Sequence, residues 1–182
     1  MFTFPIQAAS GDPLPNVICF MPAGIHLLNA HTIGGSGFAG QVVCDSETAK
    51  VLQASFAQLK AIGQRPYIDL DHDDGAAAAW IKGFYWDERG VMALVEWTSL
   101  GEEALRGRQY FSFSPTFLCD SLTGKVNGLV SNHAAGALTN SPAFQNAMPA
   151  LVAASLWEPG GIDRALAEIS IQIQTIKRKM TS

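Results

Sequence analysis

Apolar residues recur at three- and four-residue spacing through Val51, Leu52, Phe56, Leu59 and Ile62, with Ser55 on the same stripe. That is the period of an amphipathic helix. Asp45 or Ser46 supplies an N-cap, Glu47 falls in the first turn, and Gly63 marks the stop, so a helix is predicted between them. From Arg65 the period shortens to two. PYIDLDH alternates apolar and polar positions, AAWIKGFYW follows Gly75, and GVMALVEWT follows a turn at Asp87 to Gly90. These segments predict an antiparallel meander. A short helix, SLGEEALRG, with Ser99 as its N-cap, leads into a further strand, QYFSFSPTFLCD. A turn at Ser121 to Gly124 and another strand, KVNGLVSN, follow.

Upstream, QAASGDPLPN is rich in turn formers, and NVICFMPAGIHLL reads as a strand, a turn at Pro22 to Gly24 and a second short strand. Residues 29–40 are glycine-rich and small, and read as a loop. The total is six or seven strands, mostly adjacent in sequence, with two intervening helices. This favours a mainly β fold with flanking helices (α+β), a barrel or sandwich, over βαβ winding.

The end of the chain follows another rule. After Pro159-Gly160-Gly161, apolar residues fall at Ile162, Leu166, Ile169, Ile173, Ile176 and Met180 in four-three alternation. The basic run Lys177, Arg178 and Lys179 lies near the negative pole of such a helix. Residues 1–157 are therefore expected to form the main domain and 158–182 an amphipathic helix. That helix either lies on the parent domain, as Ile171 off the stripe suggests, or meets another chain.

Composition narrows the function. The chain has 182 residues, 48% hydrophobic and 15% charged, which suits one globular domain. With 12 Lys and Arg, a net charge of −4 and no basic stripe, nucleic acid is not expected as the main partner. No run of about 18 apolar residues occurs, and Met1 to Ile6 lacks the pattern of a signal peptide, so an intracellular protein without a membrane span is expected. Cys19, Cys44 and Cys119 are odd in number and widely spaced, as buried thiols rather than a disulfide framework or a zinc knuckle.

Two features carry chemistry. Asp69, Asp71, His72, Asp73 and Asp74 form the densest polar cluster; were they in a strand, His72 would share a face with Leu70, opposite Asp69 and Asp71. The cluster also reads as an Asp-rich surface turn, or as ligands for a metal-dependent hydrolase, although alternation would divide those ligands between two faces. The second feature is YFSFSPTF, which places Ser112 and Ser114 on one strand face and phenylalanines on the other. Serines so placed serve either as small spacers in the core or as a nucleophile. A serine that attacks an amide needs an imidazole to take its proton and donors to hold the oxyanion.

The stretch DHDDGAAAAWIKGFYWDERGVMALVEWTSLGEEALRGRQYFSFSPTF, followed by TGKVNGL and ALTNSPAF, resembles the Mu-like prophage I protein, a phage prohead protease. The resemblance runs over roughly residues 17–150 and is most specific from 67 to 145. More distantly the chain is similar to other prohead proteases and to herpesvirus assemblins, which implies a small antiparallel β-barrel flanked by helices. By position, His72 matches the family's general base and Ser114 its nucleophile, with Ser112 on the same face as the alternative. Many prohead proteases place an acidic residue on a later strand, yet residues 121–157 contain no Asp or Glu. His133 then stands as the third catalytic candidate, as in the assemblins, beside its reading as an ordinary loop histidine; Asp71 and Asn140 are further orienting candidates. His26 and His31 are given no role beyond lining a substrate groove.

The resemblance implies a serine endopeptidase acting without a cofactor inside the assembling prohead in the host cytoplasm. Its implied substrates are scaffold and capsid proteins and the protease itself. The tail, residues 162–180, would be an oligomerisation element for a homo-oligomer or the start of a scaffold extension. A non-catalytic scaffold or assembly module with the same fold, and a metal-dependent hydrolase built on Asp69 to Asp74, are the alternative functions.

Overall fold

The computed structural model describes residues 13–31 and 37–144. The heptad segment and the boundary at residue 157 lie outside them. Ten strands and two helices follow in order: β1 (Val17–Pro22), β2 (Gly24–His31), β3 (Gly37–Cys44), α1 (Ser46–Ala61), β4 (Tyr67–Leu70), β5 (Ala79–Asp87), β6 (Gly90–Trp97), α2 (Ser99–Arg106), β7 (Ser112–Pro115), β8 (Leu118–Cys119), β9 (Val126–Gly128) and β10 (Gly136–Thr139). Six strands form one sheet in the order β1-β6-β5-β4-β10-β7. The edge strands approach each other, with Phe20 of β1 and Phe113 of β7 at 5.5 Å between ring centroids, so the sheet is nearly closed. This agrees with the expected mainly β, barrel-like class.

Strands β4, β5 and β6 form the antiparallel meander that the alternation predicts, and β1 adds antiparallel to β6. The tight β5–β6 connection needs Gly90: its φ is +136°, and a Cβ there would lie 2.1 Å from the carbonyl oxygen of Met21. Strand β10 is parallel to β4 and antiparallel to β7. It inserts between two strands far from it in sequence, and the hydrophobic pattern does not announce it. The glycine-rich loop expected over 29–40 is largely paired instead: β2 and β3 form a hairpin from Gly24–Cys44 to His31–Gly37. Cross-strand hydrogen bonds hold a segment whose composition alone suggested freedom.

Helix α1 forms where its period placed it. Asp45 is the N-cap, accepting from the Thr48 backbone N–H at 2.9 Å, and the Thr48 hydroxyl completes a capping box. Its apolar face buries Leu52, Phe56 and Leu59, while the buried Gln53 side chain accepts the Phe84 backbone N–H at 2.7 Å. The cap of α2 is Thr98 rather than Ser99: its hydroxyl accepts from Gly101 N–H. Phe20, Phe84, Phe113, Ile18, Ile68 and Leu138 fill the core between α1 and the sheet. Cys19 and Cys44 are buried free thiols and Cys119 is half-buried; burial raises Cys19 to about 12 and Cys44 to about 11. No helix among the described residues is long and apolar enough to cross a membrane.

Candidate functional site

Register across the β4–β10–β7 strands decides which side chains meet. Asp69 lies level with Ala137, and Ala137 with Ser114. Residues level across neighbouring strands point to the same face. One residue along, Leu70, Leu138 and Phe113 form the row on the opposite, core-facing side. Asp69, Ala137 and Ser114 thus share the face turned away from the main core. They are still covered, with fractional exposures of 0%, 0% and 4%.

The cover comes from two short segments. The first is the turn after β4. His72 is not in a strand, as a period of two would have it; β4 ends at Leu70, and Asp71, His72 and Asp74 take φ values of 57°, 60° and 51°. Non-glycine residues rarely occupy this left-handed region, though Asp and His are among those that do so most. Three contacts hold the turn. Asp69 Oδ2 accepts the Asp74 backbone N–H at 2.7 Å, Asp74 Oδ1 accepts the Ala134 backbone N–H at 2.7 Å, and Asp71 Oδ2 accepts the Tyr110 hydroxyl at 2.5 Å. Ala134 stands just before β10, so the turn folds back over the sheet. His72 is thereby carried to β7, where its Nδ1 is 3.2 Å from the Thr116 hydroxyl.

Thr116 continues the β7 register by one step, its N–H donating to the Ala135 carbonyl at 2.9 Å. Alternation then places the Thr116 and Ser114 side chains on the same face, their Cα atoms about 7 Å apart. His72 and Ser114, distant in sequence, are neighbours in this sense, although no hydrogen bond joins them among the described residues. The second covering segment is Ser141 to Phe144. The Ala143 backbone N–H donates to Ser114 Oγ at 3.3 Å, and Phe144, 2% exposed, packs its ring against His26 and Phe117. Ser112, half-buried, lies level with Thr139.

The remaining sequence candidates lie elsewhere. His133 does not touch His72; its Nδ1 is 2.5 Å from Asp74 Oδ2. It also lines a shallow cleft of about 230 Å³ with Leu59, Pro66, Tyr67 and Val130, a cleft that includes neither His72 nor Ser114. Asn140 donates to the Gln109 carbonyl, and Asp71 is engaged by Tyr110. Phe111, which the alternation places on the same strand face as Phe113, is 51% exposed, whereas Phe113 is 2% exposed. Among the described residues, no group of three His, Cys, Asp or Glu side chains gathers as metal ligands do. The acidic cluster is instead spread through the turn, each member with its own protein partner or facing solvent.

Electrostatics single out two groups. Burial pushes the Asp69 carboxyl up from 3.8 to about 6, against the lowering effect of the Asp74 N–H; its Oδ1 has no hydrogen-bond partner. His72 is exposed on the surface, and the partial loss of water around its ring lowers it below its ordinary 6.5, with Asp74, Asp71 and Asp73 pulling the other way. A neutral imidazole near neutral pH is the form a general base requires. Burial raises Asp74 too, but the Ala134 N–H and the His133 ring outweigh it and hold that carboxyl below its usual value. Asp74 thus stays ionised close enough to act on both imidazoles. Thr116 was not a sequence candidate; the available signal was a hydroxyl two residues beyond Ser114 on the same strand face.

The family model described as Mu-like prophage I protein, N-terminal domain, matches residues 25–152. The chain belongs to that family. A phage-related role follows from membership in the Mu-like prophage I protein family. The match covers the hairpin from Ile25 onward, both helices and every residue of the β4–β10–β7 site. No curated protein and no solved structure matches the chain.

Proposed function

We propose that this member of the Mu-like prophage I protein family is a serine endopeptidase of phage capsid maturation, with Ser114 as nucleophile and His72 as general base. The observation that carries the reading is the fold-back of the Asp71–Asp74 turn, which brings an imidazole from the end of β4 onto the strand face that holds Ser114. In the reaction, Ser114 Oγ bonds to a peptide carbonyl carbon as its proton passes to His72 Nε2. The imidazolium returns that proton to the leaving amine as the C–N bond breaks. Water, deprotonated by the same nitrogen, then releases the acyl group and restores the serine. Substrates on this reading are scaffold and capsid proteins and the chain itself, inside the prohead in the host cytoplasm.

Ser114→Ala and His72→Ala are each expected to abolish cleavage of the scaffold protein, read by mass spectrometry, with Ser112→Ala active. Full activity in either of the first two removes the assignment, and loss only in Ser112→Ala moves the nucleophile. One observation favours the second reading, a non-catalytic assembly module: Ser114 is 4% exposed and its hydroxyl is engaged by Ala143. A fluorophosphonate separates the two, since an enzyme is labelled on Ser114 and an assembly module is not.

A further inference from the structure

The proposed mechanism leaves open what orients His72. A general base must present a lone pair on the nitrogen that faces the nucleophile, so its other nitrogen must carry the proton and needs an acceptor to keep it there. Among the described residues, His72 Nδ1 meets the Thr116 hydroxyl, while the hydrogen bonds of His133, Asp71 and Asn140 run to Asp74, Tyr110 and Gln109.

Resting on the serine-protease reading, we infer that the Thr116 hydroxyl is the positioning group for His72, accepting its Nδ1–H and leaving Nε2 free for Ser114. The contact is 3.2 Å, within hydrogen-bond range. Thr116 is held by its backbone N–H to Ala135, so the acceptor is fixed to the same strand as the nucleophile. Base and nucleophile are thereby referenced to one rigid element rather than to two independent loops. The ring nitrogen opposite Thr116 is the one left for proton transfer, and the remaining gap to Ser114 closes with substrate, as catalytic hydrogen bonds commonly do. While it accepts from Nδ1–H, the hydroxyl holds the ring in this orientation, but it adds no charge. Asp74 supplies nearby negative charge without touching the ring, its field being one of those that favour the imidazolium.

The tests are Thr116→Val, which keeps the shape and removes the hydroxyl, and Thr116→Ser, which keeps the hydroxyl. A neutral orienting group contributes less than the factor of about 10⁴ associated with a triad carboxylate. Thr116→Val is expected to lower kcat by roughly 10- to 100-fold on a scaffold peptide, with KM within about twofold, because tautomer and ring orientation matter in the transition state more than in binding. Thr116→Ser is expected to restore kcat to within about threefold of the parent. Equal kcat in Thr116→Val and the parent overturns the inference, as does a Thr116→Ser variant as slow as Thr116→Val. Fluorophosphonate labelling of the parent keeps the two levels apart. If the parent neither cleaves nor is labelled at Ser114, the protease reading fails and this inference with it; if the parent does both and Thr116→Val is unimpaired, only the role of Thr116 fails.

Discussion

Replacing Asp69 by Asn tests the electrostatics of the site through folding rather than activity. The carboxyl is fully buried, with one oxygen accepting the Asp74 N–H and the other without a partner. Burial raises it from 3.8 to about 6. A group whose folded value lies above its unfolded value stabilises the fold most when both states are protonated. That contribution is lost as pH rises from the unfolded toward the folded value, and is flat beyond. At 1.36 kcal/mol per unit, the loss between about pH 4 and about pH 7.5 is roughly 2–3 kcal/mol. Asparagine does not titrate, and its side-chain oxygen can keep the Asp74 N–H bond. The stability difference between Asp69→Asn and the parent should therefore move in favour of the variant by that amount across the interval, whatever its value at the acid end. Asp45 and Asp120, whose carboxyls are held below their usual range by partners other than Asp69, are present in both proteins and cancel in the comparison. Urea unfolding followed by tryptophan fluorescence at several pH values, fitted with a common m, measures the difference. A difference that stays constant from acid to neutral pH would refute the claim that Asp69 is a protonation-dependent buried carboxyl.

Two further substitutions probe how the site is built. In Gly136→Ala the new Cβ would lie 2.5 Å from the Phe113 ring and 2.7 Å from the Ser114 carbonyl oxygen, both on β7. Overpacking of about 1–3 kcal/mol is expected in chemical denaturation, with a parallel loss of Ser114 labelling; an unchanged midpoint would mean that β7 yields easily. Phe144→Ala removes the ring that anchors the segment over Ser114, and should cost about 3–5 kcal/mol if the cavity does not collapse. Fluorophosphonate should label Ser114 faster in this variant, measured well below its unfolding midpoint, and an unchanged rate would show that Phe144 does not limit access.

What the sequence made legible follows from how local each signal is. The helix α1 carries its cap, its stripe and its stop within one segment, and the β5–β6 hairpin carries its alternation and its turn likewise. Strand β10 has four residues, begins with Gly136, and is defined by partners on β4 and β7, so no local pattern marks it. Yet β10 sets the register that places Asp69 level with Ser114. The alternation in PYIDLDH continued through His72 on paper, whereas the chain leaves the strand at Asp71. The competing reading of DHDDG as an Asp-rich turn described the backbone correctly, and the alternation described only its first half. The candidates His133 and Asn140 lie near the site in sequence order, but their hydrogen bonds go to Asp74 and Gln109.

The turn that carries His72 shows why a structural reading of the acidic cluster and a functional one are compatible. Three non-glycine residues in the left-handed region, Asp71, His72 and Asp74, are costly and persist only where the surroundings over-determine them. Here the surroundings do: Asp69 holds the Asp74 N–H, Asp74 holds the Ala134 N–H and the His133 ring, and Tyr110 holds Asp71. What the strained turn and the buried Asp69 together achieve is to fold the chain back across the sheet, so that one imidazole reaches Thr116 beside Ser114. Strain, burial and hydrogen bonding converge on the position of a single ring, which is why the proposed site centres on His72 rather than on the acidic cluster.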